Sequence, residues 1–267
     1  MRAPAKLNLA LVVGPARPDG KHEVATVLQA IDLCDDIELG RAEALAVEGF
    51  PEDTIVRDAL IRLAEAAGVV PGWRVRIEKR IPVAAGLGGG SSDAAAALGL
   101  ANAALATPFS DRELHTLAAG VGADVPFFLH AGTQLGKGDG ADLVPLDLPT
   151  DYVALLVLPE GAGKESTAAI YGRFDERDGA TGFEQRRSHL LHALEHVREA
   201  RDLATFPGND LASSPLAREL EALGAFRADV SGAGPVVYGL FDSFTSAEHA
   251  ASALRGGGRT WLVRPVG

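Results

Sequence analysis

Apolar and polar residues alternate from Lys6 to Val13 (KLNLALVV), which predicts a β-strand, and the turn-rich GPARPDGKH ends it. Two further β-leaning stretches follow, one running through Leu39 and a short one at Leu45 to Val47. Positions 54–67 switch to helical spacing, closed by Gly68. Trp73 to Ile81 (WRVRIEKRI) alternates again, as a half-buried strand does. A glycine-rich loop and an alanine-rich helix come next. Ser110 with Glu113 then forms a capping box that opens another helix. GADVPFFLHAG breaks the pattern, TQLGKGDGADLVPL reads as a hairpin around Gly-Asp-Gly, and Tyr152 to Leu158 is a short apolar strand. The polar GRFDERDGATGFEQRR reads as a surface connection. Helices are predicted over 188–204 and 209–223. A second glycine cluster in RADVSGAGPVVYGLFD lies between two strand-like runs, and a helix over 246–254 and the strand RTWLVRPV finish the chain. Strands and helices mix without strict alternation and without a repeat. The expected fold class is therefore α+β in two lobes, with a boundary near 145–150 that divides the chain into 1–147 and 148–267.

Composition narrows the function classes. The 267 residues are 47% hydrophobic and 23% charged, enough apolar material for a core, and the net charge is −11. That balance argues against a nucleic-acid surface, which needs clustered Lys and Arg, but leaves room for a small anion held locally. The single cysteine, Cys34, excludes an intrachain disulfide and a cysteine-based zinc site, and its setting in IDLCDDIEL reads as a buried strand position. The first residues turn apolar but carry Lys6 and Asn8, so they read as a strand rather than a signal peptide. No window approaches the roughly 20 apolar residues of a spanning helix. The expectation is a soluble, cytosolic protein, monomer or homodimer, with neither nucleic acid nor membrane as partner.

The strongest chemical signal is IPVAAGLGGGSSDAAAALGLAN, residues 81–102, where glycines run directly into a helix former. The start of a helix leaves backbone N–H groups unsatisfied and carries the positive end of its dipole, and glycines let such a backbone approach an anion. Ser91 and Ser92 are placed to cap the helix or to donate to a phosphate. The junction reads as a phosphate cradle. It is not a flexible linker, because a strand and a helix pin it on both sides. It is not a Walker A loop, which needs a lysine after the glycines, and Ser91 breaks the dinucleotide pattern.

Lys6 lies in an apolar strand, where the bland reading is a snorkelling edge residue. Asp124 sits in GADVPFF beside much apolar surface, so it is paired or functional. A lysine near such an acid keeps it ionised, as proton abstraction requires. His192, Glu195 and His196 match H-x-x-E-H, and His189 adds a third histidine. The spacing of Leu190, Leu191, Leu194 and Val197 makes this helix face a solvated one rather than a metal site.

APAKLNLAL, KRIPVAAGLGGGSSDAAAAL and SGAGP together resemble the three motifs of the GHMP small-molecule kinases. RPDGKHEVATVLQAIDLCDDIEL, GADVPFFLHAGTQLGKGDGADLVPL and GNDL resemble most closely the branch that phosphorylates the 2-hydroxyl of diphosphocytidyl methylerythritol in non-mevalonate isoprenoid synthesis. The resemblance implies a two-lobed α+β fold with the active site in the cleft between lobes. It implies ATP phosphates on Pro82, Gly86, Leu87, Gly88, Gly89, Gly90, Ser91 and Ser92, with Lys79 near the adenine and Mg²⁺ offsetting phosphate charge. Asp124 would be the base on the acceptor hydroxyl and Lys6 the residue that orients it and stabilises charge. Asn8, His22 and Tyr171 would contact substrate, His22 reading cytosine. Two positions depart from the family pattern. Lys21 stands where a tyrosine stacks on cytosine, leaving Tyr171 to stack alone, and Thr54 in Asp53-Thr54-Ile55 replaces an asparagine near the nucleotide. The alternatives left open are a GHMP kinase for another alcohol, such as homoserine or a mevalonate derivative, and a non-catalytic nucleotide-binding protein.

Overall fold

The computed structural model describes residues 1–50, 54–130, 132–163, 166–254 and 257–267. In chain order its strands are β1 (Arg2–Ala16), β2 (His22–Arg41), β3 (Ala46–Glu48), β4 (Trp73–Glu78), β5 (Thr133–Gly138), β6 (Asp142–Pro145), β7 (Val153–Pro159), β8 (Arg227–Val230), β9 (Val237–Phe241) and β10 (Gly258–Val263). The helices are α1 (Thr54–Ala67), α2 (Gly89–Ala103), α3 (Asp111–Val121), α4 (Thr167–Glu176), α5 (Phe183–His196), α6 (Pro215–Ala222) and α7 (Phe244–Ala253), with 3₁₀ turns at Pro126–Leu129 and Ala200–Thr205. The class is α+β. Packing divides the chain into two compact units, one of residues 1–5, 33–83 and 88–131, the other of 6–32, 84–87 and 132–267. Neither unit is continuous in sequence, so this division differs from a single boundary at 147/148.

In the first unit, the later half of β2 pairs antiparallel with β4, and β3 pairs parallel with β4. β4 shows the alternation read from its sequence: Trp73, Val75 and Ile77 are buried while Arg74, Arg76 and Glu78 are exposed. α1 turns Val56, Ala59, Leu60, Leu63 and Ala64 inward. It packs on α2, whose alanines Ala94 to Ala97 are all buried and allow close helix approach. Ser110 caps α3 through the expected box with Glu113.

In the second unit, the earlier half of β2 pairs antiparallel with β5, and β5 with β6 around the Gly-Asp-Gly turn. A four-stranded antiparallel sheet in the order β10-β7-β9-β8 is covered by α6 and α7 around Val153, Leu155, Val157, Leu220, Val237 and Phe241. β1, β2 and α4 close a smaller cluster of Leu11, Val13, Val24, Ile170, Phe174 and Leu211. Among the described residues, no helix is long and apolar enough to cross a membrane.

Three elements differ from the sequence pattern, each for a local reason. The polar stretch after Tyr171 is a connection only in its middle: it ends α4, which Ser166 caps by accepting from the Ala169 N–H, turns over 177–182, and begins α5. The helix expected over 188–204 begins earlier, at Phe183, and stops at His196. There Asp202 accepts from the N–H groups of Arg198 and Glu199 and starts a separate 3₁₀ turn. The helix expected from Asn209 starts only at Pro215, because the Asn209 side chain is committed to the Val230 and Gly232 carbonyls.

Candidate functional site

The glycine loop threads both units. Within the second unit, Lys6 N–H donates to the Leu87 carbonyl at 2.9 Å, Val236 N–H to the Ala85 carbonyl at 3.2 Å, and Ser231 Oγ to the Gly86 carbonyl at 3.1 Å. Three stretches far apart in sequence, PAKLNLAL, AAGL and SGAGP, are thereby knitted together. Gly86 has φ 82°, and a Cβ there would stand 2.3 Å from the Ser231 carbonyl oxygen, so only glycine fits. Ala84 takes the same left-handed region at φ 63° without being glycine.

At the other end of the loop, in the first unit, Gly88 is the N-cap of α2 with φ 71°. This corrects the expectation that Ser91 or Ser92 caps the helix: both lie inside its first turns. Ser92 is buried, with its Oγ unpartnered among the described residues. The first intrahelical bond runs from Ser92 N–H to the Gly88 carbonyl at 2.9 Å, so the N–H groups of Gly89, Gly90 and Ser91 precede the ladder. The first turn carries no acidic residue. Backbone donors and helix dipole together are the donor set that an anion such as a nucleotide phosphate requires. Pro82 is half-buried on the approach to the loop.

Lys6 is buried in β1, and its Nζ donates to Asn8 Oδ1. The Asn8 amide is oriented from its other side, because Nδ2 donates to Thr26 Oγ1 at 2.8 Å, and that hydroxyl donates to the Ala10 carbonyl at 2.7 Å. Tyr238, fully buried, donates its hydroxyl to the Asn8 carbonyl at 3.1 Å and holds the strand in place. Asp124 is half-buried in the turn between α3 and the first 3₁₀ helix, next to the fully buried Val125 and Phe127.

His22, at the start of β2, lies with its ring centroid 4.7 Å from that of Tyr171 on α4, and its Nε2 is 2.8 Å from Asp175 Oδ1. Phe174 meets it edge-on at 6.0 Å. The carboxylate one turn beyond Tyr171 thus orients the imidazole. Lys21, which stands at the expected stacking position, is ion-paired at 2.5 Å with Asp139 of the β5–β6 turn. Two of the substrate candidates, His22 and Tyr171, are brought together, while Asn8 is engaged with Lys6. Asp53 lies outside the described residues, and Thr54 opens α1.

Lys79 is engaged with two carboxylates, at 2.5 Å from Asp35 and 2.8 Å from Asp93. Burial works against its charge, but Asp93 and Asp35 outweigh it and hold the ammonium above the ordinary lysine range. Burial pushes the Asp93 carboxyl up to about 7 against the pull of Lys79. His192, Glu195 and His196 are all exposed, with one ligand atom of each within 4.8 Å of the others, and His196 Nδ1 bonds the His192 carbonyl. All three side chains are on a solvated helix face, and their ligand atoms converge there.

Asp35, Asp93, Asp175, Thr26 and Ser231 were missed in the sequence. Two local signals existed. Ser166 followed by Ile170, Tyr171 and Phe174 has the spacing of a capped amphipathic helix, and Asp93 is an acid set among alanines.

The GHMP kinases N terminal domain pattern matches residues 54–132 and the GHMP kinases C terminal pattern residues 212–260. A 4-diphosphocytidyl-2-C-methyl-D-erythritol kinase of Salinispora arenicola is 40% identical, covering 95% of this chain and 87% of that protein. Its counterpart in Geobacter sulfurreducens is 35% identical over 100% of this chain and 97% of that protein. A crystal structure of 4-(cytidine 5'-diphospho)-2C-methyl-D-erythritol kinase superposes with TM-score 0.78 at 32% identity, covering 100% of this chain and 99% of the other. A mevalonate kinase superposes with TM-score 0.77 at 15% identity over 99% and 98% of the two chains, a likeness of fold alone.

Proposed function

This chain belongs to the 4-diphosphocytidyl-2-C-methyl-D-erythritol kinase family of the GHMP kinases, and from that premise we propose how its residues perform the reaction. The enzyme is a small-molecule kinase that transfers the γ-phosphoryl group of ATP to the 2-hydroxyl of 4-diphosphocytidyl-2-C-methyl-D-erythritol. A tertiary alcohol is hindered and very weakly acidic, so the step depends on positioning and local base assistance.

Asp124 takes the hydroxyl proton while the hydroxyl oxygen bonds to the γ-phosphorus and the bond to ADP breaks. Lys6, held in β1 by Asn8, orients that hydroxyl and stabilises developing negative charge. The triphosphate lies along Pro82, Gly86, Leu87, Gly88, Gly89, Gly90, Ser91 and Ser92. Gly89, Gly90 and Ser91 offer backbone N–H groups, and Mg²⁺ arriving with the nucleotide would neutralise part of its charge. His22, oriented by Asp175, reads the cytosine edge and Tyr171 covers one face of the base. Lys21 supplies a cation, rather than a second ring, near the base or the diphosphate. Dependence on ATP fits an enzyme that works in the cytoplasm.

The observation that supports this most is the loop itself: glycines in left-handed conformations deliver free backbone donors at a helix start with no acid in its first turn. The test is ADP release with ATP and Mg²⁺, comparing diphosphocytidyl methylerythritol with homoserine and mevalonate. Release driven by the cytidine compound alone is expected. Release driven only by another acceptor would overturn the substrate.

A further inference from the structure

In the first unit, the first turns of α2 rest on a buried charged cluster. Lys79 Nζ donates to both Asp35 and Asp93, and both carboxylate side chains are 0% exposed. Asp35 is fully engaged, because its second oxygen accepts the N–H groups of Arg80 at 2.5 Å and Ile81 at 2.8 Å. Asp93 is not: its Oδ1 is buried without a hydrogen-bond partner among the described residues. One ammonium is therefore divided between two buried carboxylates, and Asp93 is the less well held of the two. Space around them is tight. A Cβ on Gly89 would stand 3.2 Å from Lys79 Nζ and 3.1 Å from Ile81 Cγ2, so the cluster lies directly against the residue that begins the helix.

Resting on the reading that nucleotide phosphates lie on residues 82–92, we propose that Asp93 is a positioning residue whose carboxylate takes up one proton from solvent when those phosphates bind. With both carboxylates ionised, the cluster carries a net negative charge just behind an anion site. A triphosphate adds several more negative charges at the same helix end, in a setting where water screens little. A proton added to Asp93 forms an O–H bond there, leaves Lys79 charged and bonded to Asp35, and removes the opposing charge. The groups that face Asp93 are few. Lys79 comes from the end of β4 and Asp35 from β2, and these are the charges that act on it. The elements packed on α2 turn apolar residues inward: Val56, Ala59, Leu60 and Leu63 from α1, Leu114 and Ala118 from α3, and Pro126, Phe127 and Phe128 from the 3₁₀ turn. Burial, opposed by Lys79 and aided by Asp35, already sets this carboxyl at about 7, so a further rise falls in the neutral range.

The experiment is the Kd of a non-hydrolysable ATP analogue from pH 6 to pH 8 for the wild-type chain and for Asp93→Asn, which keeps an oxygen acceptor for Lys79. Titration of the analogue itself is common to both proteins and cancels in the comparison. The wild type is expected to lose affinity from pH 6 to pH 8 more steeply than the variant, by about fivefold over that range if binding raises the carboxyl by one pKa unit from about 7. Parallel pH profiles would overturn the proposal, since a merely structural Asp93 changes stability without changing that slope. Should Asp93→Asn not fold, carboxyl ¹³C spectra of the wild type decide. A carboxyl titrating near neutrality must move upward when the analogue is added, and an unmoved one overturns the proposal. Absence of any analogue binding at any pH would instead overturn the reading of the loop, and this inference with it.

Discussion

The two halves of the glycine loop are held by different chemistry. Residues 84–87 are fixed by neutral contacts of backbone and hydroxyl to Lys6 N–H, Ser231 and Val236, with Gly86 pressed against the Ser231 carbonyl. Residues 88–93 rest on one ammonium and two buried carboxylates. The first half is exacting about volume and backbone conformation and indifferent to pH. The second, also tightly packed, depends in addition on its charge balance. A phosphate loop needs both: a backbone held in left-handed turns, and a helix start held still while charge arrives in front of it.

The sharpest break in that comparison is Lys79→Met. It leaves Asp35 and Asp93 buried without their cation and is expected to cost about 3–5 kcal/mol of stability near pH 8. Because the Asp93 carboxyl, already raised by burial, loses the cation that opposes the rise, protonation relieves the strain, and the loss must shrink as pH falls toward 5. Urea unfolding at the two pH values measures it, and an equal loss at both would contradict the charged role.

Gly86→Ala probes the neutral half. Its Cβ meets a backbone oxygen at 2.3 Å and its φ is left-handed, so a loss of about 2–3 kcal/mol is expected, the same at pH 5 and pH 8. A pH-dependent loss would blur the contrast between the halves. The smallest effect is a gain. Ala84→Gly relieves a left-handed alanine and is expected to add about 0.5–1 kcal/mol, read as a higher urea midpoint.

Asp93→Asn also has a stability signature. Its folded carboxyl, raised to about 7, binds a proton that the unfolded chain releases near 4. The wild type therefore loses stability as pH rises through that window, and the variant should lose less.

What could be read from the sequence divides along the same line. The neutral half was legible because glycines report backbone conformation directly, and a glycine run before alanines has few other uses. The capping box at Ser110 and the Gly-Asp-Gly hairpin were legible for the same reason: their chemistry is local. The charged half was not. Asp35 lies 44 residues from Lys79 and Asp93 14 residues from it, and nothing in IDLCDDIEL or SSDAAAAL states that their carboxylates share one ammonium. Resemblance implies a place for Lys79 near an adenine and says nothing of the two acids its ammonium bonds. His22 and Tyr171 are both legible as candidates, yet the stretch after Tyr171 that carries Asp175 has the pattern of a surface connection. Its polar residues outnumber the apolar ones that pack inward. Asn209 misled in the opposite sense. It looked like a helix start, but its side chain serves carbonyls of Val230 and Gly232 that only the fold brings near.

The central claim is that nucleotide phosphates sit on the backbone N–H groups where the glycines meet α2. Amide hydrogen exchange with and without a non-hydrolysable ATP analogue and Mg²⁺ tests it most directly. Slowed exchange centred on Gly88 to Ser91 is the expected result. Saturating analogue that leaves those amides unchanged while protecting another segment would contradict it.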